Sequence, residues 1–134
     1  MSTLKADTIQ STGGGAATLT KQHAAKVWVN FDGSASGATV RDSFNVTSTD
    51  DDGTGDYGVN FTSAMSNNDY SATGMATLSA FANNDVGLIG PSRNNAAESL
   101  ATGSIQLDGQ KSSNTDGNAR DVSAALVTIH GDLA

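Results

Sequence analysis

Hydrophobic and polar positions alternate with period two over most of this chain, and that period marks strands, whose successive side chains point to opposite faces. In AKVWVNFDG, Val27, Val29 and Phe31 share one face, and Trp28 and Asn30 share the other. Residues 39–47 alternate again, with Val40, Phe44 and Val46 on one side. After an acidic interruption, DDDGTGD from Asp50, the pattern resumes at Tyr57, Val59 and Phe61. Residues 70–81 read as a long weak strand rich in Ala, Ser and Thr, and residues 86–89 as a short one ended by Gly90 and Pro91. Ile105 and Leu107 mark another, and residues 17–22 alternate weakly. The run 122–130 sets Val122, Ala124 and Leu126 against Ala125, Val127 and Ile129.

Gly, Asn, Asp and Ser clusters recur at strand-length intervals, among them the GSASG loop at 33–37. Short strands with frequent turn signals predict an all-β fold, an antiparallel β-sandwich of jelly-roll-like form with about eight strands. Residues 94–101 (NNAAESLA) offer the only helical pattern, one or two turns long. Residues 1–15 differ from the rest: Leu4, Ala6 and Ile9 offer little to bury, and Gly13, Gly14 and Gly15 form a joint. They are expected to be an extended N-terminal arm with a glycine hinge, ahead of a sandwich domain at 16–134. The arm would dock on a neighbour through Leu4, Ala6 and Ile9.

Composition sharpens this picture. Hydrophobic residues are 37% of 134, many of them alanine, with one Trp, four Phe and two Tyr. So thin an interior predicts completion by association with other chains. Net charge is −7 with dispersed Lys and Arg, which argues against nucleic-acid binding, because phosphate neutralisation needs clustered cations. The absence of cysteine removes disulfides, thiolate metal sites and Cys nucleophiles. Polar residues follow Met1, so no secretory leader is expected, and no run reaches the ~18 apolar residues of a membrane helix.

The acidic stretch is the first candidate for chemistry. Aligning Gly53 with the glycine of the helix-loop-helix calcium template puts Ser48, Asp50 and Asp52 on early ligand positions but Val59 where the closing Glu belongs. Asp-Gly and Gly-Asp instead suit a hairpin turn, so no metal is expected there. His23 and His130 lack a recognisable nucleophile partner, and neither GxSxG nor a phosphate loop is present. No catalytic residues, no cofactor and no enzymatic activity are expected. Trp28 reads first as a core residue between sheets and second as a sugar or interface contact. Turn tips rich in acids, amides and rings are the candidate receptor contacts: Asp51, Asp52, Asp56 and Tyr57 on one, Asn67, Asn68 and Tyr70 on the other.

Three blocks carry a resemblance: LKADTIQSTGGGAATLTKQHAAKVWVNFDG, VRDSFNVTSTDDDGTGDYGVNFTSAMSNNDYS and DVSAALVTIHGD. They resemble tail-fibre-like and virion surface proteins of marine tailed bacteriophages. In that family a KADTIQ-type segment leads into a WVNF strand, a DGTGDYxVNF hairpin and a last strand ending near Gly-Asp. The three consecutive aspartates here are more acidic than its usual pattern. The resemblance covers about two-thirds of the chain; residues 82–118 lie outside it. It implies a structural virion protein, a homotrimer of β-sandwich type, assembled in host cytoplasm and released by lysis. A fibre or knob would bind other virion proteins of tail or capsid through its arm, and a host surface glycan through its tips. The alternative is a capsid decoration protein that cements the head. A soluble calcium-dependent lectin and an enzyme are more remote readings.

Overall fold

The computed structural model describes residues 12–13, 24–34, 37–78, 86–92, 99–112 and 119–134. Eight strands run through them: β1 Val27–Asp32, β2 Thr39–Phe44, β3 Val46–Gly53, β4 Asp56–Phe61, β5 Ser71–Leu78, β6 Gly87–Pro91, β7 Ser104–Lys111 and β8 Val122–His130. All pairings are antiparallel, and no helix occurs among the described residues. The expected arm positions Leu4, Ala6 and Ile9, His23 and the weak strand at 17–22 lie outside the described residues, as does most of 94–101.

The strands form one sheet in the order β2-β1-β8-β5-β6-β7-β4-β3. Where two separate sheets were expected, the strands join into one that curls into a nearly closed barrel. The reason lies at Asn45. Strands β2 and β3 are consecutive in the chain yet occupy opposite edges of the sheet, so the sheet must curve until those edges meet. Asn45 makes the corner in a left-handed conformation (φ 59°), which Asn tolerates better than most residues. Its amide holds the corner, donating to the carbonyls of Lys26 and Ser63 (both 3.1 Å) and accepting from the Ser63 N–H (2.7 Å). Side-chain bonds then tie the edges: Thr49 Oγ1 donates to the Ala38 carbonyl, and the Gly37 N–H donates to Asp51 Oδ2 (3.3 Å).

This corner splits the run 39–47, which alternation alone joins. Val40 and Phe44, expected on one side with Val46, are exposed at 37% and 52%. Val27, Val29 and Phe31 do point inward together, and they pack with Val59, Ile105, Leu107, Val127 and Ile129 in one continuous core. Edge-to-face pairs of rings stiffen its two ends, Phe31 with Tyr57 (centroids 5.3 Å) and Phe61 with Tyr70 (6.1 Å). The interior is better filled than composition suggests, because the inward positions hold most of the large apolar side chains. Trp28 is not a core residue as expected: it alternates with Val27 and Val29 and stands on the outer face opposite Phe44. In β8 the alternation holds from Ala125 to Ile129, but the register slips opposite Thr77 and Leu78, which turns Val122 inward as well.

Candidate functional site

The acidic stretch is a hairpin whose acids lie mostly in a strand. Asp50, Asp51 and Asp52 belong to β3, and Thr54 and Gly55 make the turn into β4, with Gly53 pairing Asp56. Gly53 (φ 145°) and Gly55 (φ 68°) adopt backbone conformations that β-carbon-bearing residues resist. Local partners restrain two of the carboxylates: Asn60 Nδ2 donates to Asp50 Oδ2 (2.5 Å), and the Gly53 N–H donates to Asp51 Oδ1 (3.2 Å). Among the described residues no three His, Cys, Asp or Glu side chains cluster so as to hold a metal ion.

The turn of this hairpin is tied into the barrel. The Gly55 N–H donates to Asp121 Oδ1 (2.9 Å), its carbonyl accepts from the Gly109 N–H (2.7 Å), and the Gly109 carbonyl accepts from the Arg120 N–H (2.9 Å). A β-carbon on Gly55 would strike the Gly109 carbonyl and lie 2.7 Å from the Arg120 nitrogen, so only glycine fits there. The Tyr57 ring enters the core with no exposed surface. Its hydroxyl donates to the Gly33 carbonyl (3.0 Å) and accepts from the Val122 N–H (3.1 Å), with Asp121 Oδ1 at 3.4 Å. Burial above all, with help from the Asp121 and Asp51 charges, pushes the Tyr57 phenol up to about 12. Tyr57 is therefore a structural pin, and its expected place on a receptor-contacting tip is corrected. What remains outward is carboxylate: Asp51 and Asp52 are exposed and Asp56 is half-buried. Partial burial, then repulsion from Asp108 and Asp52, raises the Asp56 pKa. Asp108 stands directly across from it on β7.

At this same end Asp32 accepts from Ser34 and pairs with Arg41 (2.7 Å), and these contacts, Ser34 first, hold its pKa below the usual carboxylate value. Arg41 also donates to the Ser123 carbonyl (2.6 Å), clamping β2 over β1 and β8.

The second expected tip lies elsewhere. Asn67 and Asn68 sit in an exposed bend, where Asn67 Oδ1 accepts from the Asp69 N–H (2.9 Å). Tyr70, expected beside them, turns into the core, and its hydroxyl reaches the carbonyls of Ser104 (2.9 Å) and Ala101 (3.0 Å). Burial pushes it up to about 12 also. The strand register puts this bend at the opposite end of the barrel from the acidic hairpin. Asn60 pairs Ser104 at one end of the β4–β7 ladder, whereas Asp56 pairs Asp108 at the other. The two candidate tips do not form one surface. Beside the bend runs a cleft of about 320 Å³ lined by Asn67, Asp69, Ser71, His130, Gly131 and Asp132. It offers a polar ligand donors and acceptors. Sequence reasoning missed it, because His130 and Asn67 meet only through the β5–β8 pairing, in which Ser71 faces His130.

A third feature lies on the flank. Trp28, Phe44, Met75, Leu88 and Leu126 expose large apolar surface on the outer face of five neighbouring strands. None of the described residues forms a helix long and apolar enough to cross a membrane. No protein-family model, no curated protein and no solved structure matches this chain.

Proposed function

We propose that this chain is a non-enzymatic structural component of a tailed-bacteriophage particle, of fibre or knob type, that docks through its N-terminal arm and presents its acidic hairpin to the host surface. One observation carries this reading. The chain enters the barrel at Lys26, whose N–H donates to the Ile129 carbonyl (2.8 Å). Val27 pairs Ile129 at that end, while Phe31 pairs Ala125 toward the end where Gly33 meets Tyr57. An arm that fastens residues 1–15 to a particle thus leaves Asp51, Asp52 and Asp56 at the far, outward end. Carboxylates there accept hydrogen bonds from sugar hydroxyls, which suits a glycan receptor.

The DGTGDY block supports the reading in another way. Its glycines and tyrosine close a barrel end, so the block that carries the phage resemblance is a scaffold signature. The barrel also divides at two seams: β5 and β6 share the single pair Ala76 and Gly87, and β2 and β3 share no ladder. Two four-stranded halves folded face to face would be the jelly-roll-like sandwich of this family. The subunits would associate as a homotrimer, with the flank apolar face buried between them.

Antibodies against the barrel, applied to purified particles, test the proposal. Label confined to the tail supports a fibre. Label spread over the head moves the chain to the alternative role, capsid decoration. Particles without label refute both. Deleting residues 1–15 should abolish labelling while the barrel still melts cooperatively.

A further inference from the structure

We infer that the chain's own N-terminal segment seats on the barrel, with Leu4 in the seam between β5 and β6 and Lys5 against Asp69 and Asp132. The inference rests on the reading of residues 1–15 as a docking arm, and adds where the arm lies before a particle takes it. β5 pairs with β8 over its whole length, and β6 does so with β7, but β5 and β6 share only Ala76 and Gly87. Pro91 has no N–H to offer across the seam. A pocket of about 190 Å³ opens there, between Ala72 and Gly74 on one side and Ile89 and Pro91 on the other, with the buried Leu107 and Val127 behind. Gly74 and Pro91 are exposed, so the pocket has a mouth. An apolar cavity of about 150 Å³ is enough to take benzene. This one suits an apolar side chain of leucine size.

Pattern, charge and reach choose the occupant. The cleft of about 320 Å³ adjoins this pocket, because Ser71 lines the one and Ala72 the other. Its ionisable lining, Asp69 and Asp132 with His130, is net acidic. An occupant of both openings therefore carries an apolar group next to a cationic one, on opposite sides of an extended chain. Leu4 followed by Lys5 has that pattern, and Lys5 is the only basic residue in 1–15. Val27, Ile129 and Ala72 stand in one row across β1, β8 and β5. The pocket wall is thus two strand spacings, about 10 Å, from where the chain enters the barrel. Residues 6–25 are long enough to span several times that distance. Tethering selects this segment over a foreign one of the same chemistry, since a short linker holds it at an effective concentration on the order of millimolar.

Trypsin cleavage after Lys5 in the full chain, followed by mass spectrometry, tests this. Wild type should be cut at least about tenfold more slowly than a synthetic peptide of residues 1–11, at a rate that does not change on dilution. Leu4→Asp puts a charge into the pocket, and Asp69→Asn with Asp132→Asn removes the acids of the cleft; each should restore most of the peptide's rate. Asp69 and Asp132 are exposed, so the β-type circular dichroism of their variant should not change. Cleavage of wild type as fast as the peptide, or protection that survives Leu4→Asp, overturns the inference. A disulfide readout names the source of the segment. The chain has no cysteine, and a β-carbon added at Gly90 on the pocket wall meets open space, so Leu4→Cys with Gly90→Cys should bring two thiols together. Oxidised glutathione should join them within one chain, at 13.5 kDa on a non-reducing gel. A band of twice that mass gives the pocket to a neighbour's segment, and that result or the absence of any link overturns the inference. Each of these failures leaves particle labelling, the test of the reading above, free to succeed.

Discussion

Replacing Tyr57 with Phe tests whether the acidic hairpin is architecture. The substitution keeps the ring, its edge contact with Phe31 at 5.3 Å and its fit against Gly33, and removes only the hydroxyl. That hydroxyl satisfies the Val122 N–H (3.1 Å) and the Gly33 carbonyl (3.0 Å) inside a region where Tyr57 and Val122 have no exposed surface. A buried donor left without its acceptor costs about 1–3 kcal/mol. For a chain of 134 residues the unfolding entropy makes each kcal/mol worth about 4 °C, so Tm should fall by about 4–12 °C. Thermal melts by circular dichroism, with urea titrations alongside, measure it. Tyr70→Phe is the internal comparison. Its hydroxyl has one proton within reach of two carbonyls, and the Ser104 carbonyl keeps a second donor in the Ala101 N–H, so the loss should be smaller, about 1 kcal/mol. A Tyr57→Phe protein that melts within about 1 °C of wild type would refute the pin.

Further outcomes follow from the same geometry. Gly55→Ala should abolish cooperative folding, whereas Gly53→Ala, with open space around its added carbon, should cost only the ~1–2 kcal/mol of its left-handed conformation; expression and melting of the two variants separate these cases. Both buried tyrosines ionise near 12, above the ~10 of an unfolded chain, so their contribution to stability is complete below about pH 10 and is lost as pH rises through 12. Denaturant titrations across that window should show Tyr57→Phe losing less stability than wild type. Asp56 has a raised pKa, so its ionisation opposes folding, and Asp56→Asn should stabilise the protein at neutral pH by roughly 0.2–1 kcal/mol, a gain that disappears as the wild-type carboxyl protonates in acid. Asp51→Asn with Asp52→Asn should melt alike in calcium and in chelator; a large calcium-dependent shift in the parent would mean that the hairpin holds a metal.

Much of the strand set was legible because period-two alternation depends only on neighbouring residues. β8 runs over the expected 122–130, and the hairpin around Gly53 and Gly55 lies where its turn residues put it. The barrel closure was not legible, because a single Asn at position 45 inside an alternating run gives no signal that the chain leaves one sheet edge for the other. The role of Tyr57 was hidden for a different reason: its partners Gly33 and Val122 stand 24 and 65 positions away. A ring beside an acidic turn reads as a contact residue until those distant backbone groups are in place. Trp28 shows that alternation defines two faces without saying which is inner; three inward neighbours of one parity, Val27, Val29 and Phe31, decided it.

The central idea is that this barrel works by joining copies of itself in a larger body. Sedimentation equilibrium of the unmodified full chain, over a wide concentration range at physiological salt, tests it most directly. A mass that is a whole-number multiple of 13.5 kDa and falls on dilution is the expected result. A mass of 13.5 kDa at every concentration would contradict it.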